Sequence, residues 1–322
     1  MSATDWRPTA TLEALRARAA LNRLIRDFFA ARDVLEVETP LLSRHSGSDP
    51  YLHPFCAPYQ GHPADPGQPH YLQTSPEFAM KRLLAADSGP IYQLGKAFRN
   101  GESGSRHNPE FTMLEWYRPG FTLEQLMEEV QALVQAVLDC GAIARLSYAE
   151  LFARGLGIDP HACTLPILQT LVRERVDAAL CLDERDACLD ALYSHVLEPA
   201  LREPVFICDY PASQAALARV VQDEAGHWVA RRFELVIGGL ELANGYDELS
   251  DANEQARRFQ ADKTRREALG LPPLAGDARL VAALEAGLPP CAGVALGVDR
   301  LLMLKCGART IDDVLAFPLQ RA

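Results

Sequence analysis

Apolar positions recur at helical spacing over residues 11–31, where Leu12, Leu15, Leu21, Ile25 and Phe28 form one stripe. Thr11 is suited to cap this helix, and Glu13 lies in its first turn. VLEVETP (34–40) then reads as a β-rich run stopped by Pro40, and residues 44–69, rich in His, Pro, Gly and Asp, read as surface loop. HYLQT (70–74) is a strand, and Ser75-Pro76-Glu77 begins a helix that runs to about Ala86. PIYQLGKAF (90–98) and EFTMLEWY (110–117) are two strands joined by a long polar loop. Helical patterns occupy parts of 122–140 and 165–198. RRFELVIGGLELAN (231–244) returns to strand, with Gly238 and Gly239 marking a bend or bulge. Residues 251–269 form a charged helix with a solvated face, and GVALGVDRLLMLKCG (293–307) is a small-residue strand turning into an apolar helix. Hairpins without regular βαβ alternation predict an α+β fold with an antiparallel sheet flanked by helices.

Composition narrows the function. The 322 residues are 48% hydrophobic and 23% charged, enough for one large core with an insertion or for two modest domains. MSATDWRPTA carries no apolar leader core, and no stretch approaches the roughly 18 uncharged apolar residues of a membrane span. Eight scattered cysteines, without CxxC pairs or histidines at zinc spacing, read as reduced, mostly buried thiols of a cytoplasmic protein. A net charge of −11 argues against a nucleic-acid partner, which is usually met by a basic footprint. There is neither a dinucleotide-binding glycine fingerprint nor a lysine phosphate loop.

Three constellations carry candidate chemistry. Strand alternation puts Phe111, Met113, Glu115 and Tyr117 on one face, where a buried glutamate needs a cation. Arg99 ends the partner strand, and its planar fork suits phosphate; a buried Arg–Glu pair is the plain alternative. Glu234, Glu241, Asn244 and Glu248 form the second group, and a bulge at Gly238-Gly239 would bring Glu234 and Glu241 to one face. Paired carboxylates without a nearby base suit Mg²⁺, though edge-strand acids facing water fit the same pattern. The third is GVALGVDR, where small residues permit close approach to a ligand and Arg300 puts a cation in the first turn of a helix.

In order and detail these segments resemble the catalytic domain of class II aminoacyl-tRNA synthetases, in particular the lysyl branch. VLEVETP resembles motif 1, FRNGESGSRHNPEFTMLEWY motif 2 and GVALGVDRL motif 3, while TSPE (74–77) and ELANGYDEL (241–249) are similar to the amino-acid pocket segments. The similarity runs from residue 11 onward. It implies that Arg99 contacts the α-phosphate and the substrate carboxylate. Phe111 and Arg300 would enclose adenine from its two faces. Asn100, Gly101, Glu102, Asn108, Glu241, Leu242 and Gly297 would complete the ATP site. By the same resemblance Glu234 and Glu241 bind Mg²⁺. Glu77 and Glu115 would hold the substrate's backbone-side amine, with Asn244 on its carboxylate and Glu248 with Tyr117 on its distal ammonium; Ser75, Pro76 and Ala295 would belong to the same substrate site. Motif 1 implies a homodimer.

Three departures refine this. Glu102 follows Gly101, one position later than the glutamate of lysyl synthetases, so either the Gly101 backbone or the Glu102 side chain reads the adenine amine. Ala295 stands where those enzymes have glycine, and the extra methyl disfavours L-lysine relative to an isomer with a β-amine; neutral drift is the alternative. Only about thirty residues precede motif 1, too few for an anticodon-binding barrel, so the expectation is one catalytic domain over 1–322 with an insertion at about 121–230. On this reading tRNA is not the expected acceptor. The expectation is ATP-dependent activation of (R)-β-lysine and transfer to a lysine ε-amine of elongation factor P. A truncated enzyme making L-lysyl-adenylate for tRNA or another carrier, and a non-catalytic regulatory paralogue, are the alternatives; the second conflicts with the presence of Arg99, Arg300, Glu234 and Glu241.

Overall fold

The computed structural model describes residues 6–59 and 69–322, so the leader reading of MSATD and part of the 44–69 loop lie outside the described residues. The chain forms two compact units: Met1–Gly120 with Ser250–Cys291 and Ala295–Ala322, and Phe121–Leu249 with Ala292–Val294. No helix among the described residues is long and apolar enough to cross a membrane.

The first unit opens with α1 (Leu12–Ala30), capped by Thr11, whose side-chain oxygen accepts from Ala14 N–H at 3.1 Å. Leu21, Ile25, Phe28 and Phe29 are its buried face. Leu12, placed in the same stripe by its spacing, is 62% exposed, because the first helical position projects beyond the core. β1 (Leu35–Glu36) is shorter than VLEVETP predicts. Next come β2 (Leu42–Ser43), β3 (Cys56–Pro58) and β4 (Pro69–Leu72), a small antiparallel sheet of order β2-β4-β3 that breaks the expected loop. α2 (Glu77–Ala85), β5 (Ile91–Phe98) and β6 (Glu110–Pro119) follow as the sequence predicts. β1 runs parallel to β5, and β5 pairs antiparallel with β6 from Ile91↔Tyr117 to Phe98↔Glu110. Phe29 of α1 stacks on Tyr92 of β5 at 4.4 Å and meets Trp116 of β6 edge-on at 5.3 Å, which seats the helix on this hairpin.

The second unit begins with α3 (Leu123–Val137), which starts in a capping box of Thr122 and Gln125. β7 (Ala144–Ser147), α4 (Tyr148–Leu156), α5 (Leu165–Arg175) and α6 (Arg185–Leu192) precede β8 (Val205–Pro211), β9 (Val220–Gln222), β10 (Trp228–Val236) and β11 (Glu241–Asp247). β7 is parallel to β8, while β8–β10, β9–β10 and β10–β11 are antiparallel. Tyr148, Phe152, Leu189, Leu192, Val205 and Ile207 form its core. The run 231–244 is therefore two strands and not one bent strand. Gly238 (φ +60°) and Gly239 (φ +69°) are the turn between them, closed by reciprocal hydrogen bonds of Ile237 and Leu240 at 3.0 and 3.2 Å. Two consecutive positive φ values give the turn hand that matches strand twist, and glycine adopts them without a Cβ clash.

Gly245 of β11 lies opposite Phe233 of β10, and a Cβ there would overlap the Phe233 ring and come within 3.1 Å of Val294. Overpacking of this kind costs about 1–3 kcal/mol. Gly245→Ala should lower the urea midpoint accordingly with the slope unchanged; an unmoved midpoint would show that Phe233 gives way freely.

The chain returns to the first unit with α7 (Ala252–Ala268) and α8 (Ala278–Gly287). The solvated face expected of α7 hides one buried cation. Arg266 is 2% exposed, and its guanidinium donates to the Pro272 and Asp49 carbonyls at 3.0 and 3.3 Å. β12 (Cys291–Gly297) and α9 (Val298–Cys306) close the fold, the middle three residues of β12 belonging to the second unit. The expected α+β architecture is present, with parallel pairs at β1–β5 and β7–β8 added to the antiparallel ones. All eight cysteines are unpaired, but only Cys188 and Cys291 are buried, fewer than the sequence reading assumes.

Candidate active site

In the first unit a buried carboxylate collects the TSPE turn and the β6 face. Ser75 accepts from Glu77 N–H at 3.0 Å, but the N-cap of α2 is Pro76 and not Ser75 as the sequence predicts; the Ser75 hydroxyl donates to Glu115 Oε2 at 2.8 Å. Pro76 is the residue before the helix, and its carbonyl accepts from Ala79 and Met80 N–H. Tyr117 donates to Glu115 Oε1 at 2.7 Å. Ser75, Glu77, Glu115 and Tyr117 thus come together as expected. Burial, followed by the neighbouring charge of Glu77, pushes the Glu115 carboxyl up to about 7, against the hydrogen bonds of Tyr117 and Ser75 and the charge of Lys81. The pairing of Glu115 with Arg99, one reading of the spacing, does not occur: two hydroxyls hold the carboxylate instead.

The loop between β5 and β6 is closed by its backbone. Arg99 N–H donates to Pro109 O at 2.8 Å, Asn100 N–H to His53 O at 2.7 Å, and Gly101 turns the chain at φ +87°. The Arg99 guanidinium lies 5.1 Å from the Phe111 ring and 3.8 Å from Glu102, and its Nε is buried with no hydrogen-bond partner among the described residues. Asn108 is engaged at both ends, Nδ2 donating to Glu110 O at 2.6 Å and Oδ1 accepting from Leu319 N–H at 3.0 Å. That brace ties the loop to the C-terminal segment, a role the sequence does not announce.

Gly297 precedes α9, and Ala295 is half-buried two residues earlier on β12. Arg300, in the first turn of α9, reaches the same loop: its Nη2 lies 2.6 Å from His107 Nε2 and its Nε 3.5 Å from Arg106 O. A guanidinium only donates, so His107 Nε2 accepts and the imidazole is neutral in this contact. The preceding Asp299 is buried and accepts from Thr112 N–H at 2.7 Å and from Arg18 at 2.5 Å. Neither Asp299 nor Arg18 was singled out by the sequence, because an acid in a first helical turn reads as ordinary helix chemistry.

In the second unit the acids lie on the β10–β11 hairpin. Glu234 is opposite Asn244, and the pairing slips by one residue between Leu235 and Val236, so that Val236 faces Glu241. The irregularity expected at Gly238-Gly239 is thus a turn, and the slip in register lies beyond it. Glu234 is buried, accepts from Tyr193 OH at 2.9 Å through Oε2 and is paired with Arg232 through Oε1. Burial raises its proton affinity; Arg232 opposes this and the Glu241 charge adds to it. Glu241 N–H donates to Glu198 Oε1 at 3.0 Å, Leu242 and Glu248 are buried, and Asn244 Oδ1 is buried with no hydrogen-bond partner among the described residues.

No cluster of three or more His, Cys, Asp or Glu side chains suited to a metal ion occurs among the described residues. Two carboxylates suffice for Mg²⁺ that also binds phosphate, and Glu241 adds like charge to Glu234, but the pair is not without a nearby base as the sequence suggests: Arg232 is paired with Glu234 and outweighs Glu241 there.

Comparison with known proteins identifies the family. A family model described as tRNA synthetases class II (D, K and N) matches residues 2–321. The elongation factor P–(R)-β-lysine ligase of Proteus mirabilis is 51% identical over 323 residues, 99% of this chain and 98% of that protein. Proteins of the same name from Vibrio cholerae serotype O1 and Pseudoalteromonas translucida are each 50% identical, covering 100% of both chains. With a match over nearly its whole length and relatives half identical throughout, the chain belongs to the class II tRNA synthetases of the D, K and N group.

Proposed function

We propose that this chain activates (R)-β-lysine with ATP and transfers it to a lysine ε-amine of elongation factor P, the activity for which its relatives are named. Nucleotide binding follows from the family fold. The observation that carries the reading is Glu115, a buried carboxylate held by Ser75 and Tyr117 beside Glu77, an arrangement that suits a substrate ammonium. In the first step a substrate carboxylate oxygen attacks the α-phosphorus, the bond to the β-phosphate breaks, and pyrophosphate leaves. Arg99 supplies the donors for the charge that gathers on the α-phosphate, Phe111 and Arg300 take the adenine, and Asn100, Gly101, Glu102, Asn108, Leu242 and Gly297 are assigned to the nucleotide. No general base is required, because the nucleophile is already ionised. In the second step a neutral lysine amine attacks the acyl carbon, AMP leaves, and the amine proton passes to solvent.

In the second unit Glu234 and Glu241 would hold Mg²⁺, oriented by Tyr193 and Arg232. When bound, that ion neutralises phosphate charge. Within this unit Asn244 is assigned to the substrate carboxylate and Glu248 to the distal ammonium. We further assign the whole chain to one catalytic domain in which about 121–230 is an insertion, working in the cytoplasm as a homodimer built on VLEVETP. A protein acceptor in place of tRNA accords with the net charge of −11.

The test is amino-acid-dependent ATP–pyrophosphate exchange with (R)-β-lysine and L-lysine side by side. The chain should prefer (R)-β-lysine, and Ala295→Gly should shift the ratio toward L-lysine by about 10- to 200-fold, as one methyl in a close-fitting pocket does. Preference for L-lysine in the unsubstituted protein would overturn the reading of Ala295.

A further inference from the structure

Lys81 is 1% exposed, and an ammonium so deeply buried is costly unless it is paired. Its Nζ donates to Glu77 Oε1 at 2.7 Å, one turn back along α2. An i,i+4 pair on a helix surface contributes only about 0.2–0.5 kcal/mol and usually stands in water. This one is buried beside the amine-end carboxylates. Glu77 and Lys81 both act on Glu115, the first raising its proton affinity and the second lowering it. Among the charged and titratable groups that act on Glu115, Glu77 and Lys81 come from α2 and Tyr117 from its own strand. Ser75 adds a hydroxyl, and Gln93, opposite on β5, is neutral.

We propose that Lys81 is a positioning residue of the amine site: it holds one oxygen of Glu77 and supplies the fixed positive charge that lets Glu77 and Glu115 stand side by side as two carboxylates. Two buried carboxylates without such a charge share a proton, and that proton removes acceptor capacity that an incoming ammonium needs. With Lys81 the cluster carries one net negative charge when all three groups are ionised. A monovalent ammonium balances that charge. The proposal rests on the reading of Glu77 and Glu115 as the groups that take the substrate amine.

The experiment is the pH dependence of kcat/KM for the amino acid in ATP–pyrophosphate exchange, paired with a ¹³C-carboxyl NMR titration of Glu115 in the free protein. Lys81→Met removes the charge and keeps much of the side-chain volume. The acid-side midpoint should rise by about one pH unit, the lower end of what an opposite charge at short range produces. From a midpoint of about 7, that is about a five- to sixfold loss in kcat/KM for the amino acid at pH 7, recovered at higher pH, with KM for ATP unchanged. A purely structural lysine would lower stability without moving the midpoint.

Glu77→Gln provides the opposite sign in the same NMR titration: with the like charge gone and Lys81 kept, Glu115 should titrate at lower pH. It decides the question if Lys81→Met folds poorly. A Glu115 midpoint unmoved in a folded variant overturns the proposal. If neither lysine isomer supports exchange in the unsubstituted protein, the functional reading fails, and the carboxyl titration alone then decides the role of Lys81.

Discussion

Arg99→Ala should lower amino-acid-dependent ATP–pyrophosphate exchange by a factor of about 10² to 10³, with the fold intact. The size of the effect follows from preorganisation. The guanidinium is held at the end of β5 over the Phe111 ring, 5.1 Å from its centre, and Nε is withheld from water without a partner among the described residues. Such a donor is oriented before the reaction begins and strengthens its contacts as charge gathers on the phosphate. The fold should tolerate the change. The Arg99–Glu102 pair is long at 3.8 Å and partly exposed, and the Arg99 N–H to Pro109 O bond that closes the hairpin survives. Arg99→Lys should recover only part of the activity, since an ammonium keeps the charge and loses the planar fork. Exchange at the unsubstituted rate in Arg99→Ala, with unchanged circular dichroism, would remove this arginine from the nucleotide site.

Asp299→Ala should be the most destabilising of the substitutions considered, by about 3–5 kcal/mol. Asp299 is 2% exposed and joins three elements: α9, which carries it; α1, through Arg18 at 2.5 Å; and β6, through Thr112 N–H at 2.7 Å. Truncation leaves an arginine without its carboxylate and a strand N–H without its acceptor, and each is penalised when solvent cannot replace the partner. Arg18 retains 19% side-chain exposure, which places the loss near the lower end of the range. Asp299→Asn keeps an acceptor for Thr112 and should lose less. Chemical denaturation measures both variants. A loss below about 1 kcal/mol for Asp299→Ala would show that water reaches Arg18 and that the pair belongs with exposed salt bridges.

The elements that carried strong local signals are where the pattern put them. Thr11 caps α1, α2 starts beside Ser75-Pro76, the strands around the 99–109 loop pair from Ile91↔Tyr117 to Phe98↔Glu110, and GVDR turns from β12 into α9. Period and capping chemistry are local, and the chain obeys them locally. The misses share a different origin. Gly238-Gly239 fits a bulge or a hairpin turn equally well by composition, and only the pairing of Glu234 with Asn244 distinguishes them. Arg266 and Asp299 lie in segments that read as charged helix and helix start, because burial against residues 187 to 281 positions away leaves no trace in local spacing. Lys81 did have a signal, its i,i+4 spacing from Glu77, but that spacing is shared with solvated pairs such as Glu150 and Arg154. The candidate site was legible through its motifs. The groups that hold those motif residues in place were not.

Acceptor and amino acid are tested together by incubating the protein with ATP and, in parallel, labelled (R)-β-lysine or labelled L-lysine, in the presence of elongation factor P and lysine tRNA. Label from (R)-β-lysine is expected on a lysine of elongation factor P in an amide bond, dependent on ATP and with AMP released. Label from L-lysine on the tRNA, with none on the protein, would contradict the proposed function.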